Sequence, residues 1–151
     1  MEYIKKRADT IKKKYRTSCP FELCESMGIT VLRFDLPENV NGFYYKYLKN
    51  YIIIINENLE YDSARVTAAH ELGHILLHNT TNTFQLIENT DIPLQRLENE
   101  ADYFASCLLI DENELKSSYT DQTLTASDIA AISGIPEKLV KLYAHYQGYD
   151  F

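Results

Sequence analysis

No apolar run in this 151-residue chain approaches the ~20 residues of a membrane-spanning helix, which excludes a helical membrane protein. The opening Met-Glu-Tyr-Ile-Lys-Lys-Arg has no apolar core of the signal-peptide kind, so the expected location is the cytoplasm. Cysteine is scarce and odd in number: Cys19, Cys24 and Cys107. Cys19 and Cys24 are not spaced as a zinc knuckle, so reduced thiols are expected. Repeats and low-complexity segments are absent. Positive charge is in deficit, with 15 Lys+Arg against 22 Asp+Glu and a net charge of −7. That balance opposes nonspecific binding to nucleic acid. The bases crowd into residues 5–16, where a solvated helix face is the expected reading and an acidic partner the alternative. Histidine is also rare: there are four, and two of them carry the argument.

Those two are in His70-Glu71-Leu72-Gly73-His74, an HExxH pattern. On a helix, positions i and i+4 share a face, so both imidazoles can reach one ion. Glu71 projects beside them, placed to act on a water at that ion. Residues 61–69 have no Gly or Pro and read as the start of the helix, with Asp62 and Ser63 as caps. Val66, Ala69, Leu72, Gly73, Leu76 and Leu77 give it a broad apolar face. The bland alternative is a core helix with two satisfied histidines.

A catalytic zinc site takes three protein ligands and keeps one position open. His78 lies about 6 Å beyond His74 along the axis, too far to chelate the same ion, and suits the negative end of the helix dipole. His145, near the far end of the sequence, reads as a surface or interface residue. A second helix over 94–110, opened by Pro93, has an inward stripe of Leu94, Leu97, Ala101, Ala105 and Leu108. Glu98 falls on that stripe and Glu100 points roughly 200° away from it. A carboxylate on an apolar stripe costs free energy unless it is paired or bound to metal, which makes Glu98 the better third ligand. A solvated glutamate is the alternative. Asp102, one turn on, is placed to orient a ligand histidine.

The remaining chain reads as helices over 2–17 and 20–27, a strand over 29–34, a loop over 36–41, and a hairpin of 43–47 and 51–56 around 48–50. A polar loop is expected over 79–91. Asp111 caps a short helix to Tyr119, and helices over 125–132 and 136–146 flank Ser133-Gly134-Ile135. The expected class is α+β: a small antiparallel β-sheet packed on a helical bundle that carries the metal helix, all within one domain over 1–151. Strand 51–56 offers a candidate edge onto which an extended substrate could add, against the plainer reading of a buried strand. The 125–146 segment resembles part of a helix-turn-helix, but its second helix is poor in base-reading side chains. A structural or substrate-docking role is preferred to DNA binding.

His70-Glu-Leu-Gly-His-Ile-Leu-Leu-His78, followed by Leu97-Glu-Asn-Glu-Ala-Asp-Tyr-Phe-Ala-Ser-Cys-Leu-Leu-Ile110, resembles the ImmA/IrrE family of zinc metallopeptidases. The Glu-x-x-Ala-x-x-Phe-Ala-x-x-Leu-Leu pattern of that family reads here Glu98, Ala101, Phe104, Ala105, Leu108, Leu109. Its leading glutamate is the third zinc ligand in the family, in a gluzincin-like site, which again selects Glu98. Pro20-Phe-Glu-Leu23 with Gly28-Ile29, and the strand 51–56, extend the resemblance over about 20–110, the expected core, with 111–151 a C-terminal helical part. Leu109-Ile110-Asp111 departs from the methionine and proline that often end the second motif.

The resemblance implies a zinc-dependent endopeptidase with His70, His74 and Glu98 as ligands and Glu71 as general base. Mn²⁺ or Co²⁺ would suit the same donors. It implies a protein substrate, a helix-turn-helix repressor often encoded nearby, whose cleavage relieves repression in phage, mobile-element, toxin–antitoxin or stress circuits. The rival is a non-catalytic anti-repressor module that sequesters its DNA-binding partner. A structural zinc usually has four protein ligands and only three are found, which favours catalysis.

Overall fold

The computed structural model describes residues 1–78, 93–121 and 124–150. The polar loop expected over 79–91 lies outside them. In chain order the described elements are α1 (Glu2–Tyr15), α2 (Pro20–Ser26), β1 (Thr30–Phe34), β2 (Gly42–Tyr47), β3 (Asn50–Asn56), α3 (Tyr61–Leu77), α4 (Leu94–Leu109), α5 (Glu112–Asp121), α6 (Ala126–Ser133) and α7 (Glu137–Gln147). The α+β class is as expected, and the boundaries fall close to the expected ones because the local signals act where they stand. Pro20 opens α2 and a left-handed Gly28 (φ 71°) follows it. The Asp111 carboxylate accepts from the Asn113 amide at 2.8 Å at the start of α5. Thr125 and Asp128 form a reciprocal capping box on α6. For α3 the capping expectation does not hold: the helix begins at Tyr61, its N-cap is Glu60, and Asp62 lies in the first turn.

The sheet is mixed where a purely antiparallel one was expected. Its order is β1-β3-β2: β1 runs parallel to β3, with Val31 beside Ile53, and β2 runs antiparallel to β3, with Tyr44 beside Ile53. Strand 51–56 is therefore the central strand and offers no edge. The cause is its composition. Ile53 and Ile55 are fully buried and Ile54 nearly so, and a strand this apolar is best covered on both sides. After β1 the chain reverses and returns as β2, leaving a one-strand gap that β3 fills. Buried Asn56 holds the reversal: its side-chain amide donates to the carbonyls of Leu36, Pro37 and Val40, and its oxygen accepts from the Asn58 amide.

The core lies between this sheet and the helices. α4 is its axis, packing against α3, α1 and α7. Ala101 and residues 103–110 are all buried, so α4 is apolar nearly all round its second half. α1 contributes Ile4, Ala8 and Ile11. Several of its bases are paired: Lys5 with Asp9 and Glu112, Lys6 with Glu2, and Lys12 with Asp9. α7 buries Leu139, Val140, Tyr143 and Ala144, so its apolar side belongs to the core. Arg65 of α3 donates to the carbonyl of Ser133, the last residue of α6.

Two close approaches fix how α3 meets its neighbours. A Cβ at Gly73 would lie 3.1 Å from Phe104 Cδ1 and 3.2 Å from the Ala101 carbonyl, so α3 and α4 meet almost backbone to backbone there. A Cβ at Gly42 would lie 2.6 Å from the Ile54 carbonyl and 2.7 Å from Thr67 Cγ2, so β2 starts pressed against α3.

Candidate metal centre

One helical turn of α3 presents His70 and His74 on the face towards α4. Their Nε2 atoms are 3.1 Å apart. Glu98, in the first turns of α4, reaches both: Oε2 is 3.2 Å from His70 Nε2 and Oε1 is 3.2 Å from His74 Nε2. The contact at Gly73 brings the helices near enough for this. Donor atoms of His70, His74 and Glu98 all lie within 4.8 Å of one another, and they are the one such cluster found among the described residues.

The wheel that selects Glu98 misjudges the burial of the two glutamates. The Glu98 side chain is 42% exposed, whereas that of Glu100 is 9% exposed. Glu98 stands at the lip of the site and Glu100 is enclosed, because Glu100 meets His78 at the end of α3. His78 Nε2 is 3.0 Å from Glu100 Oε2, and His78 Nδ1 is 3.1 Å from His74 Nδ1. Asp102 takes its expected place: Oδ1 is 2.9 Å from His70 Nδ1, and Oδ2 accepts from Lys138 of α7 at 3.1 Å. His145 is exposed and stacks edge-on with Tyr146.

A carboxylate only accepts hydrogen bonds, so the His70 nitrogen facing Asp102 carries the proton and its Nε2 presents a lone pair. That lone pair, His74 Nε2 and the Glu98 carboxylate converge, three acceptors around one point. Such a cluster demands a cation. Tetrahedral zinc at 2.0–2.1 Å from its donors would hold them roughly 3.3 Å apart, close to the spacings here, so donor chemistry and spacing both fit a zinc-type ion. In the metal-free chain a proton meets the demand. Burial opposes charge on His70, but its contacts with Asp102 and Glu98 raise its pKa to about 9. The close His70 and His74 imidazoles hold the Glu98 carboxyl far below the usual range. Burial likewise opposes charge on Asp102, yet His70 and Lys138 keep its pKa low.

Glu71 points elsewhere. It is buried beside the two histidines, and burial raises its pKa against the pull of His70 and His74. The backbone amide of Tyr44 in β2 donates to its carboxylate, and the Tyr44 ring stacks on His74 with centroids 5.9 Å apart. Sequence reasoning missed this role of β2. Gly42, two residues before Tyr44 at a hairpin start, was the available signal of a close backbone approach.

Residues 24–143 match the peptidase M78 family, described as the IrrE N-terminal-like domain. An "uncharacterized immunity region protein 2" of Bacillus phage phi105 is 36% identical over 139 residues, covering 92% of this chain and 87% of that protein. The metallopeptidase ImmA of Bacillus subtilis (strain 168) is 32% identical over 136 residues, covering 88% of this chain and 79% of that protein. Among solved structures, a Mycobacterium tuberculosis transcriptional regulator aligns with a TM-score of 0.65 at 14% identity over 94% of this chain. This chain spans only 46% of that one, and the likeness is one of fold.

Proposed function

This chain belongs to the ImmA/IrrE family of metallopeptidases, and on that premise we propose that it is a zinc-dependent endopeptidase that cleaves a helix-turn-helix repressor and so relieves repression. Family membership implies a metal. The observation that carries the finer reading is the convergence of His70, His74 and Glu98 on one point with Glu71 buried alongside. His70, His74 and Glu98 would hold the ion, and residues 1–151 would act as one metallopeptidase domain.

When bound, zinc supplies Lewis acidity, lowering the pKa of a water towards ~7 and polarising the scissile carbonyl. Glu71 would take a proton from the attacking water as its oxygen adds to the scissile carbonyl carbon, and would pass that proton to the amine nitrogen as the C–N bond breaks. Burial raises its pKa, which makes it a stronger base than an exposed carboxylate. The Tyr44 amide fixes its direction. Asp102 keeps the His70 proton on the outer nitrogen and so keeps Nε2 available. β2, at the sheet edge against α3, takes over the substrate role expected of strand 51–56: an extended segment added along it would pass over the ligands.

Three ligands favour catalysis over a sequestering module, because a structural zinc is normally closed by a fourth. Three free cysteines and a DNA-binding substrate are consistent with work in the cytoplasm. The test is incubation of the zinc-loaded protein with any helix-turn-helix repressor encoded beside it. Discrete fragments that do not form in EDTA are expected. A stable complex with an intact repressor, at full zinc occupancy, would replace the enzyme with the sequestering module.

A further inference from the structure

Asp102 accounts for the outer nitrogen of His70; that of His74 has a longer route to a carboxylate. His74 Nδ1 lies 3.1 Å from His78 Nδ1, His78 Nε2 lies 3.0 Å from Glu100 Oε2, and Arg96 Nε meets Glu100 Oε1 at 3.0 Å. The His78 and Glu100 side chains are only 7% and 9% exposed. Enclosing a glutamate and an imidazole this thoroughly costs free energy unless each polar atom is used.

We propose that His78 and Glu100 are positioning residues for the metal centre: Glu100 fixes the tautomer of His78, and His78 holds the His74 ring with its Nε2 lone pair turned towards the ion. The proposal rests on reading His70, His74 and Glu98 as the ligands. Glu100 accepts only, so His78 Nε2 carries the proton and His78 Nδ1 is an acceptor. His74 must therefore donate from Nδ1, which leaves its Nε2 bare. The opposite tautomer would aim an N–H into the centre and abolish ligation. The network thus sets the metal-ready form of His74, as Asp102 sets the nitrogen that His70 offers once the proton in the centre leaves. Arg96 keeps Glu100 charged and in place. The i+4 step from His74 to His78, too long for chelation, is the right step for one ring to support the next.

The test compares wild type with His78→Leu, His78→Gln and Glu100→Ala. Zinc affinity is read by chelator competition, the His74 tautomer by ¹⁵N–¹H NMR of the metal-free chain, and folding by circular dichroism. In His78→Leu, zinc affinity falls about 10–100-fold and His74 becomes a mixture of tautomers. His78→Gln, whose amide oxygen can still accept from His74 Nδ1, recovers most of both; a merely space-filling role would predict no such rescue. Glu100→Ala gives the same tautomer change with His78 present, and decides the matter if His78→Leu does not fold. Folded variants with wild-type affinity and an unchanged His74 signal overturn the proposal alone. Failure of the wild type to bind zinc overturns the ligand reading as well.

Discussion

Cys24 and Cys107 are buried deeply enough that desolvation pushes both thiols up to about 12, while Cys19 is partly exposed. Only a thiolate attacks a disulfide reagent. The native protein should therefore release one equivalent of thionitrobenzoate from Ellman's reagent at neutral pH, and three in denaturant. Two or more fast equivalents in the native state would contradict the packing of α2 or α4. At this scale the site is largely legible in the sequence. His70, Glu71 and His74 sit within one helical turn, where sequence spacing is spatial spacing. Glu98 is reachable because a helical wheel needs only one angle. The reversed burial of Glu98 and Glu100 is not, since a wheel knows which way a side chain points and not what stands opposite. The spacing of His78 excludes it as a ligand, and its place behind His74 shows only once Glu100 is opposite.

Elements meet at glycines here, and the site depends on those meetings. At Gly73 the α3–α4 contact leaves no room for a branched side chain, so Gly73→Val should separate the helices. Overpacking of this kind costs about 1–3 kcal/mol. Glu98 rides on α4 and would retreat from His70 and His74, so zinc affinity should fall together with the thermal midpoint. A chelator competition and a melt on the same sample check this; unchanged affinity would show that α4 is not held to α3 at that point. Element types and boundaries are legible from caps, prolines and apolar periodicity. The parallel pairing of β1 with β3 is not. Strand order depends on which strand the rest of the molecule buries most, and the four isoleucines of β3 answer that only once α3 is in place. The edge proposed for the substrate consequently moves from β3 to β2, the strand that also supplies the Tyr44 amide to Glu71.

Across the whole molecule, the candidate metal centre ties together parts distant in sequence. α3 and α4 supply the three donors, β2 steadies Glu71, and α7 reaches Asp102 through Lys138. A cation held by donors on both α3 and α4 binds the folded chain and not the unfolded one. Zinc at 100 times its dissociation constant should then stabilise the fold by about 2.7 kcal/mol. EDTA should lower the melting temperature reversibly, and Glu98→Ala should abolish the difference between zinc and EDTA. Equal zinc stabilisation of Glu98→Ala and wild type would place the ion elsewhere.

The central claim, that Glu71 performs the proton transfers of peptide hydrolysis beside an ion it does not hold, is tested most directly by Glu71→Gln. Cleavage of the cognate repressor is measured at one zinc per chain in both proteins. The variant should keep wild-type zinc content, repressor binding and melting temperature, and lose about 10²–10⁴-fold in turnover. A zinc-replete Glu71→Gln that cleaves as fast as wild type would contradict the account.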